Sequence, residues 1–223
     1  MVEATQGQVI QEQVKEEEAT PLTLEAYLDA YARQPVEVVD GDMVVMSPPE
    51  LAHVIVARNL FVSLNDFVSE HQLGEVWPDA TPYLLDADDR ADWVRGSRVP
   101  DVSFVARERM DAHLARHGTE GPLRLAPDLA VEIVSPHDRY SDLNRKVADY
   151  LRYGTRLVWV IDPQVRTVRV ATPDDPGGRI LTPDDTLAGG PVLPGWSAPV
   201  LNVLGGPAES PAPAATPQEE AGE

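Results

Sequence analysis

The chain has no cysteine among its 223 residues. That excludes a disulfide framework and any thiolate metal site, so a bound cation would rest on oxygen or imidazole donors. Such donors suit hard cations such as magnesium or manganese. Aromatic residues make up only 6% of the chain, which leaves the core to aliphatic strands. No uninterrupted apolar run approaches the roughly 18 residues of a membrane span. The first residues are acidic and polar, unlike the basic then apolar layout of a signal peptide. These absences predict a soluble, cytoplasmic chain with no membrane partner.

Positive charge is also scarce: 18 Lys and Arg stand against 37 Asp and Glu, a formal net charge of -19. This argues against a protein that coats nucleic acid electrostatically, because phosphate binding leaves a basic footprint. The acid excess is unevenly spread. Residues 1–20 hold five acids and one lysine, and residues 205–223 hold four acids and no base, so each end carries -4 and the middle keeps -11. In that middle, Arg139, Arg145, Lys146, Arg152 and Arg156 fall close together, which leaves a local basic groove open.

The first 20 residues are rich in Gln and Glu, and residues 205–223 are rich in Pro, Ala and Glu. Neither composition buries enough apolar surface to order itself, so both are expected to be disordered tails around one domain at 21–204. Within the domain, Thr23 to Tyr31 has helical spacing, and two β-rich runs flank the hairpin turn Asp40-Gly41. Ser47-Pro48-Pro49-Glu50 has the pattern of a capping box opening a helix that runs to His71. His53, Ala57, Leu60, Leu64 and Phe67 share one face of that helix. Strands are expected near 80–85, 99–106, 128–135, 156–162 and 165–171, with a helix at 140–153 stopped by Gly154. The strand, helix, strand order across 128–162 predicts a parallel crossover unit. Residues 173–200, rich in Pro and Gly, give little periodic signal.

Glu132 is the residue that most needs explaining. Its neighbours Val131, Ile133 and Val134 are apolar, and an acid in an apolar strand is costly to bury unless something neutralises it. A bound cation neutralises two acids at once, and Asp101 opens a second strand-like run while Lys146 follows on a helix. A metal-dependent phosphodiesterase needs such groups. Two carboxylates and a backbone carbonyl can hold the cation, and a lysine can steady the water and the transition state. Asp101, Glu132, the carbonyl of Ile133 and Lys146 fill those roles.

Plainer readings stand beside these. Asp101 after Pro100 can simply cap a strand, and Lys146 with Asp142 is an ordinary helical ion pair worth roughly a few tenths of a kcal/mol. His53 suits a satisfied edge histidine as readily as a functional one. Glu37 is either structural or an extension of the acidic site. His71, His113, His117 and His137 share no spacing that suggests zinc, and Ser135-Pro136-His137-Asp138 is too local for a hydrolase relay. Trp77 and Trp159 fit buried sheet positions.

Taken in order, Glu37-x-x-Asp40-Gly41, Ser47-Pro48, His53, Pro100-Asp101, Glu132-Ile133-Val134-Ser135-Pro136, Asp142-x-x-x-Lys146-x-x-x-Tyr150-x-x-x-Gly154 and Trp159-Val160-Ile161-Asp162-Pro163 cover most of residues 22–171. The set resembles the Uma-type restriction endonucleases of the PD-(D/E)XK nuclease superfamily. The resemblance implies an α/β, restriction-endonuclease-like fold with a central mixed β-sheet flanked by helices. It also implies magnesium- or manganese-dependent cleavage of DNA, with Asp101 and Glu132 as metal-binding acids and His53 at the edge of the site. The superfamily lysine two residues after the glutamate is Val134 here, which nominates Lys146 on the next helix. Cutting both strands of a duplex is simplest for a homodimer. Two rival readings are a catalytically silent nuclease fold that binds a protein, and an acidic DNA mimic. A basic cleft around Glu132 would favour the enzyme over the mimic.

Overall fold

Alternation in the strand that carries Glu132 sets the layers of the molecule. Leu129, Val131 and Ile133 join the main core on one side, while Ala130 joins a smaller core on the other. A sheet apolar on both faces must be covered twice. The computed structural model describes residues 22–88, 92–136 and 138–205. The expected first tail, all but Gly205 of the second, and His137 lie outside the described residues.

The elements run α1 (Leu24–Arg33), β1 (Val36–Val39), β2 (Asp42–Val45), α2 (Leu51–Glu70), β3 (Gly74–Pro78), β4 (Tyr83–Asp88), β5 (Trp93–Arg98) and β6 (Val102–Ala106). They continue with α3 (Arg107–His117), β7 (Leu129–Ile133), α4 (Tyr140–Arg152), β8 (Leu157–Asp162), β9 (Thr167–Thr172), β10 (Asp175–Leu181), β11 (Thr186–Ala188), β12 (Ser197–Pro199) and α5 (Val200–Val203). Six strands form the central sheet in the order β10-β9-β8-β7-β6-β3. Its β7 and β8 are parallel, joined across α4 as the crossover pattern predicts, and the other pairings are antiparallel. A four-stranded sheet, β2-β1-β5-β4, stands beside it, and β11 and β12 make a small ladder.

α2 covers one face of the central sheet through Val56, Leu60, Leu64 and Val68, and α4 covers the other through Val147 and Tyr150. The result is the mixed sheet flanked by helices that the family resemblance implies. In the smaller sheet, Val36, Val38, Leu84 and Val94 pack on Tyr27 of α1. Among the described residues, α2 is the one helix long and apolar enough to cross a membrane, with a mean hydropathy of 1.3. Its buried stripe belongs to the core, and Arg58, Asn59, Asn65 and Asp66 interrupt its sequence.

Several local expectations need correction. The hairpin forms as expected, with Asp40 and Gly41 both at positive φ, 53° and 94°, the mirror-image turn that suits strand twist. The capping box does not. α2 starts at Leu51 after an N-cap Glu50 that makes no side-chain cap bond. Each proline drives the residue before it toward extended backbone, so Pro48 and Pro49 in succession hold Ser47 and Pro48 out of the helix. The strand expected at 99–106 begins late, with β5 ending at Arg98 and β6 starting at Val102. Pro100 between them has no N–H for a ladder. Residues 173–200 hold β10, β11 and β12 and bury Leu187, Leu193 and Trp196 completely or nearly so. Turns separate these apolar residues, which leaves no period to read.

Trp159 on β8 is fully buried and stacks on Trp196, with ring centroids 5.2 Å apart. Trp159→Ala is therefore expected to cost about 3–5 kcal/mol in urea unfolding. Val165→Ala, at a position 67% exposed, should stay within about 0.5 kcal/mol.

Candidate active site

The period of two that turns Leu129 and Val131 toward α2 turns Glu132 toward α4. There it is 4% exposed, and two α4 side chains one helical turn apart meet it. Lys146 Nζ lies 2.9 Å from Glu132 Oε2, and Tyr150 donates its hydroxyl to Oε1 at 2.7 Å. Lys146 also lies 3.0 Å from Oε1 of Glu37 on β1. Its partners are thus two buried acids from two different sheets, and the plain surface pair with Asp142 does not describe it.

Asp101 lies between β5 and β6. Its N–H donates to the Val131 carbonyl at 3.0 Å, and Oδ2 accepts the N–H of Ile133 at 2.6 Å. Asp101 therefore does tie down strand ends, as the plainer reading held. It also faces His53, whose Nε2 lies 2.9 Å from Oδ1, while Nδ1 of the same ring is 3.4 Å from Ser135 Oγ. All five residues singled out from the sequence, His53, Asp101, Glu132, Ile133 and Lys146, line one cleft of about 400 Å³.

The basic groove that the sequence left open does not form around this cleft. Arg145 pairs with Asp40, Arg156 pairs with Asp128 away from the cleft, and Arg152 lies over the ring of Tyr153. Acids engage Arg145, Lys146 and Arg156, and Arg156 lies beyond the end of α4, so nearness in sequence does not make a basic patch. Glu37, Asp79, Asp101, Glu132, Asp138 and Asp142 line the cleft, opposed by Arg98, Arg145 and Lys146.

A family model, Uma2, described as putative restriction endonuclease, matches residues 24–203. The chain belongs to the Uma2 family. Among solved structures it is similar to a putative nuclease of DUF820 from Anabaena variabilis, at 19% identity with a TM-score of 0.67. That alignment covers 83% of this chain and 98% of the other, and it supports the fold. No curated protein matches the chain. The Uma2 description supports an enzyme of the endonuclease class in general.

Electrostatics distinguishes the polar groups of this Uma2 cleft. Burial pushes the Glu132 carboxyl up to about 7; Lys146 opposes this, and the charges of Asp101 and Glu37 add to it. Burial alone would lower Lys146, but Glu132 and Glu37 outweigh it and hold the ammonium above the ordinary lysine range. Burial likewise acts to lower His53, and its bond to Asp101, with the charges of Asp101, Asp79 and Glu132, raises it overall. Lys146 is therefore a fixed cation. His53 is shifted toward that form.

The oxygen-rich donor set fits a hard cation in kind. Glu132 and Asp101 are the residues that could hold one, together with the backbone of Ile133. In the present arrangement every oxygen of those two carboxylates already has a partner in His53, Ile133, Lys146 or Tyr150. Among the described residues no group of three His, Asp or Glu converges as a ready-made cage. A cation would share its carboxylates with Lys146 and His53.

Some site residues escaped the sequence reading. Arg98, 2% exposed, pairs with Asp149 and lies 3.5 Å from Glu37. Only its place before the Pro100-Asp101 motif hints at this. Tyr150 did carry a signal, since it shares the four-residue row with Asp142 and Lys146. Asp79, on the turn after β3, gave none; partial loss of solvent and the charge of Asp101 push its carboxyl up, against the Ala80 N–H.

A pH test follows from Glu132. Its folded pKa lies above the unfolded one, so between about 4.5 and 7 the native state holds a proton that the unfolded chain releases. This contribution to stability is full below pH 4.5 and is lost as pH rises through 7. In chelator, wild type is expected to lose thermal stability relative to Glu132→Gln over that window. A difference that stays flat with pH would contradict the assignment.

Proposed function

We propose that the protein is a divalent-metal-dependent endonuclease that hydrolyses DNA phosphodiester bonds, working as a homodimer. What carries the reading is a single contact: Lys146, a cation fixed by two buried acids, lies 2.9 Å from Glu132 at the floor of the cleft. Family membership supports the nuclease class, and the oxygen donors support magnesium or manganese.

Asp101, Glu132 and the carbonyl of Ile133 would hold the cation. When bound, it supplies a hydroxide-like water near neutral pH and offsets charge on the phosphate. In the hydrolysis the water oxygen bonds to phosphorus, one ester P–O bond breaks, and the departing oxygen takes up a proton. Lys146 stays protonated through this, so it acts as a charge stabiliser for the phosphate oxygens and not as the base. His53, drawn toward its cationic form by Asp101, positions a phosphate oxygen by hydrogen bonding. Tyr150 holds Glu132 at its Oε1 and so fixes the direction of Oε2.

A second reading has its own observation. The saturation of Asp101 and Glu132 by internal partners suits a silent nuclease fold that binds another protein. One experiment separates them. Purified protein incubated with supercoiled plasmid and magnesium or manganese is expected to nick or linearise it, and chelator should abolish this. Glu132→Ala, Asp101→Ala and Lys146→Ala should each lower cleavage by about 10²-fold or more, and His53→Ala by roughly 10-fold. Wild type that matches Glu132→Ala with every metal would favour the silent module.

A further inference from the structure

We propose that two copies of the chain join edge to edge through β2, making a two-fold dimer with one continuous eight-stranded sheet from two four-stranded ones. This deepens the reading above by assigning the homodimer a surface, and it takes its purpose, though not its evidence, from that reading.

β2 is an edge strand, and all four of its residues are exposed. Three of them are Met43, Val44 and Val45, exposed by 45%, 47% and 55%. Soluble proteins blunt an open edge with lysines, prolines or bulges, because its free N–H and C=O groups template pairing with another chain. β2 has none of these devices. Its one charge, Asp42, stands at the turn.

The hairpin register states which backbone groups are free. A two-residue turn makes Val39 and Asp42 a hydrogen-bonded pair, so Glu37 and Val44 form the next one. Met43 and Val45 lie between these positions and point their N–H and C=O outward. Two such edges can pair antiparallel about a two-fold axis, Met43 against the second copy's Val45 and the reverse, with Val44 facing its own mate. That self-complementary arrangement is what a closed dimer requires.

The patch extends beyond the strand. Val44 and Val45 line the cleft together with Pro49 and His53, which puts the start of α2 beside the edge. There Leu51 and Val54 are 74% and 45% exposed. These five side chains expose on the order of 400 Å² of apolar surface per copy, as large as the main patch of a typical monomer. Doubled, and at the ~65% apolar share of homodimer interfaces, this corresponds to roughly 1,200 Å², the size of a specific contact. Charge points the same way. A chain whose middle part carries -11 repels its copy over most of its surface, and this patch is where two copies meet at little electrostatic cost.

Sedimentation of the full chain at roughly 100 µM, where an interface of this size associates, is the test. The expected mass is twice the 24.3 kDa of one chain. Val45→Lys should raise the dissociation constant by about 100-fold or more, because it sets a charge against the second copy's Met43 and puts two like charges at diagonal positions across the seam. Val44→Cys guards against misfolding of that variant. In a chain with no cysteine of its own, it should form an interchain disulfide on mild oxidation, while Val165→Cys, on the far turn between β8 and β9, should not. A monomer at that concentration would overturn the proposal, leaving β2 to another protein or to the chain's own ends. A dimer unmoved by Val45→Lys, or Val44→Cys crosslinking no faster than Val165→Cys, would overturn it too. Mass and crosslinking are read without cleavage, so a dimer that cuts nothing sinks only the nuclease reading, and a monomer that cuts sinks only this one.

Discussion

Burying Glu132 in the central sheet is the constraint on which the rest of the structure turns. An ionised carboxylate taken out of water loses several kcal/mol, and only well-placed partners return it. Those partners form a line of alternating charge. Tyr150 and Lys146 hold Glu132, Lys146 reaches Glu37, Glu37 meets Arg98, and Arg98 pairs with Asp149. The line starts and ends on α4 and passes through β7, β1 and β5. It therefore joins the two sheets to the helix that covers one of them. The polar contacts of the cleft are also the fastening between layers.

Acidity follows a related logic. The cleft has more carboxylates than cations, and its Arg98, Arg145, Lys146 and His53 are each already engaged by an acid. A polyanion gains little from long-range attraction to such a surface. Its approach depends on cations brought from solution and on contacts made at close range, so binding should vary with salt less steeply than for a protein with a basic face.

Much of this was legible in the sequence, and the limits have physical causes. Glu132 stood out because an acid inside an apolar strand is expensive, and the turn Asp40-Gly41 because few residues accept positive φ. The row of Asp142, Lys146 and Tyr150 gave the face of α4, and Gly154, at φ 102°, ends the chain's excursion after it. Glu37 and Arg98 were harder. Their pairing depends on how two sheets meet, which no local pattern records. The basic groove failed for the opposite reason, since residues close in sequence were taken as close in space. Ser47 misled because two prolines override a cap signature, and β10 to β12 were hidden because turns break their apolar spacing.

The same line of charges is graded in chain entropy. Glu132 and Lys146 are 14 residues apart within one β7–α4 unit, so their contact closes a short loop. Arg98 and Asp149 are 51 apart, and the Val99 N–H meets Glu37 across 62. Closing longer loops costs more chain entropy. The glutamate–lysine pair therefore closes at less entropic cost than the contacts of Glu37 and Arg98, which depend on docking of the smaller sheet. Until that docking the cleft has only one wall, and a half-made molecule has no enclosed place to hold a substrate.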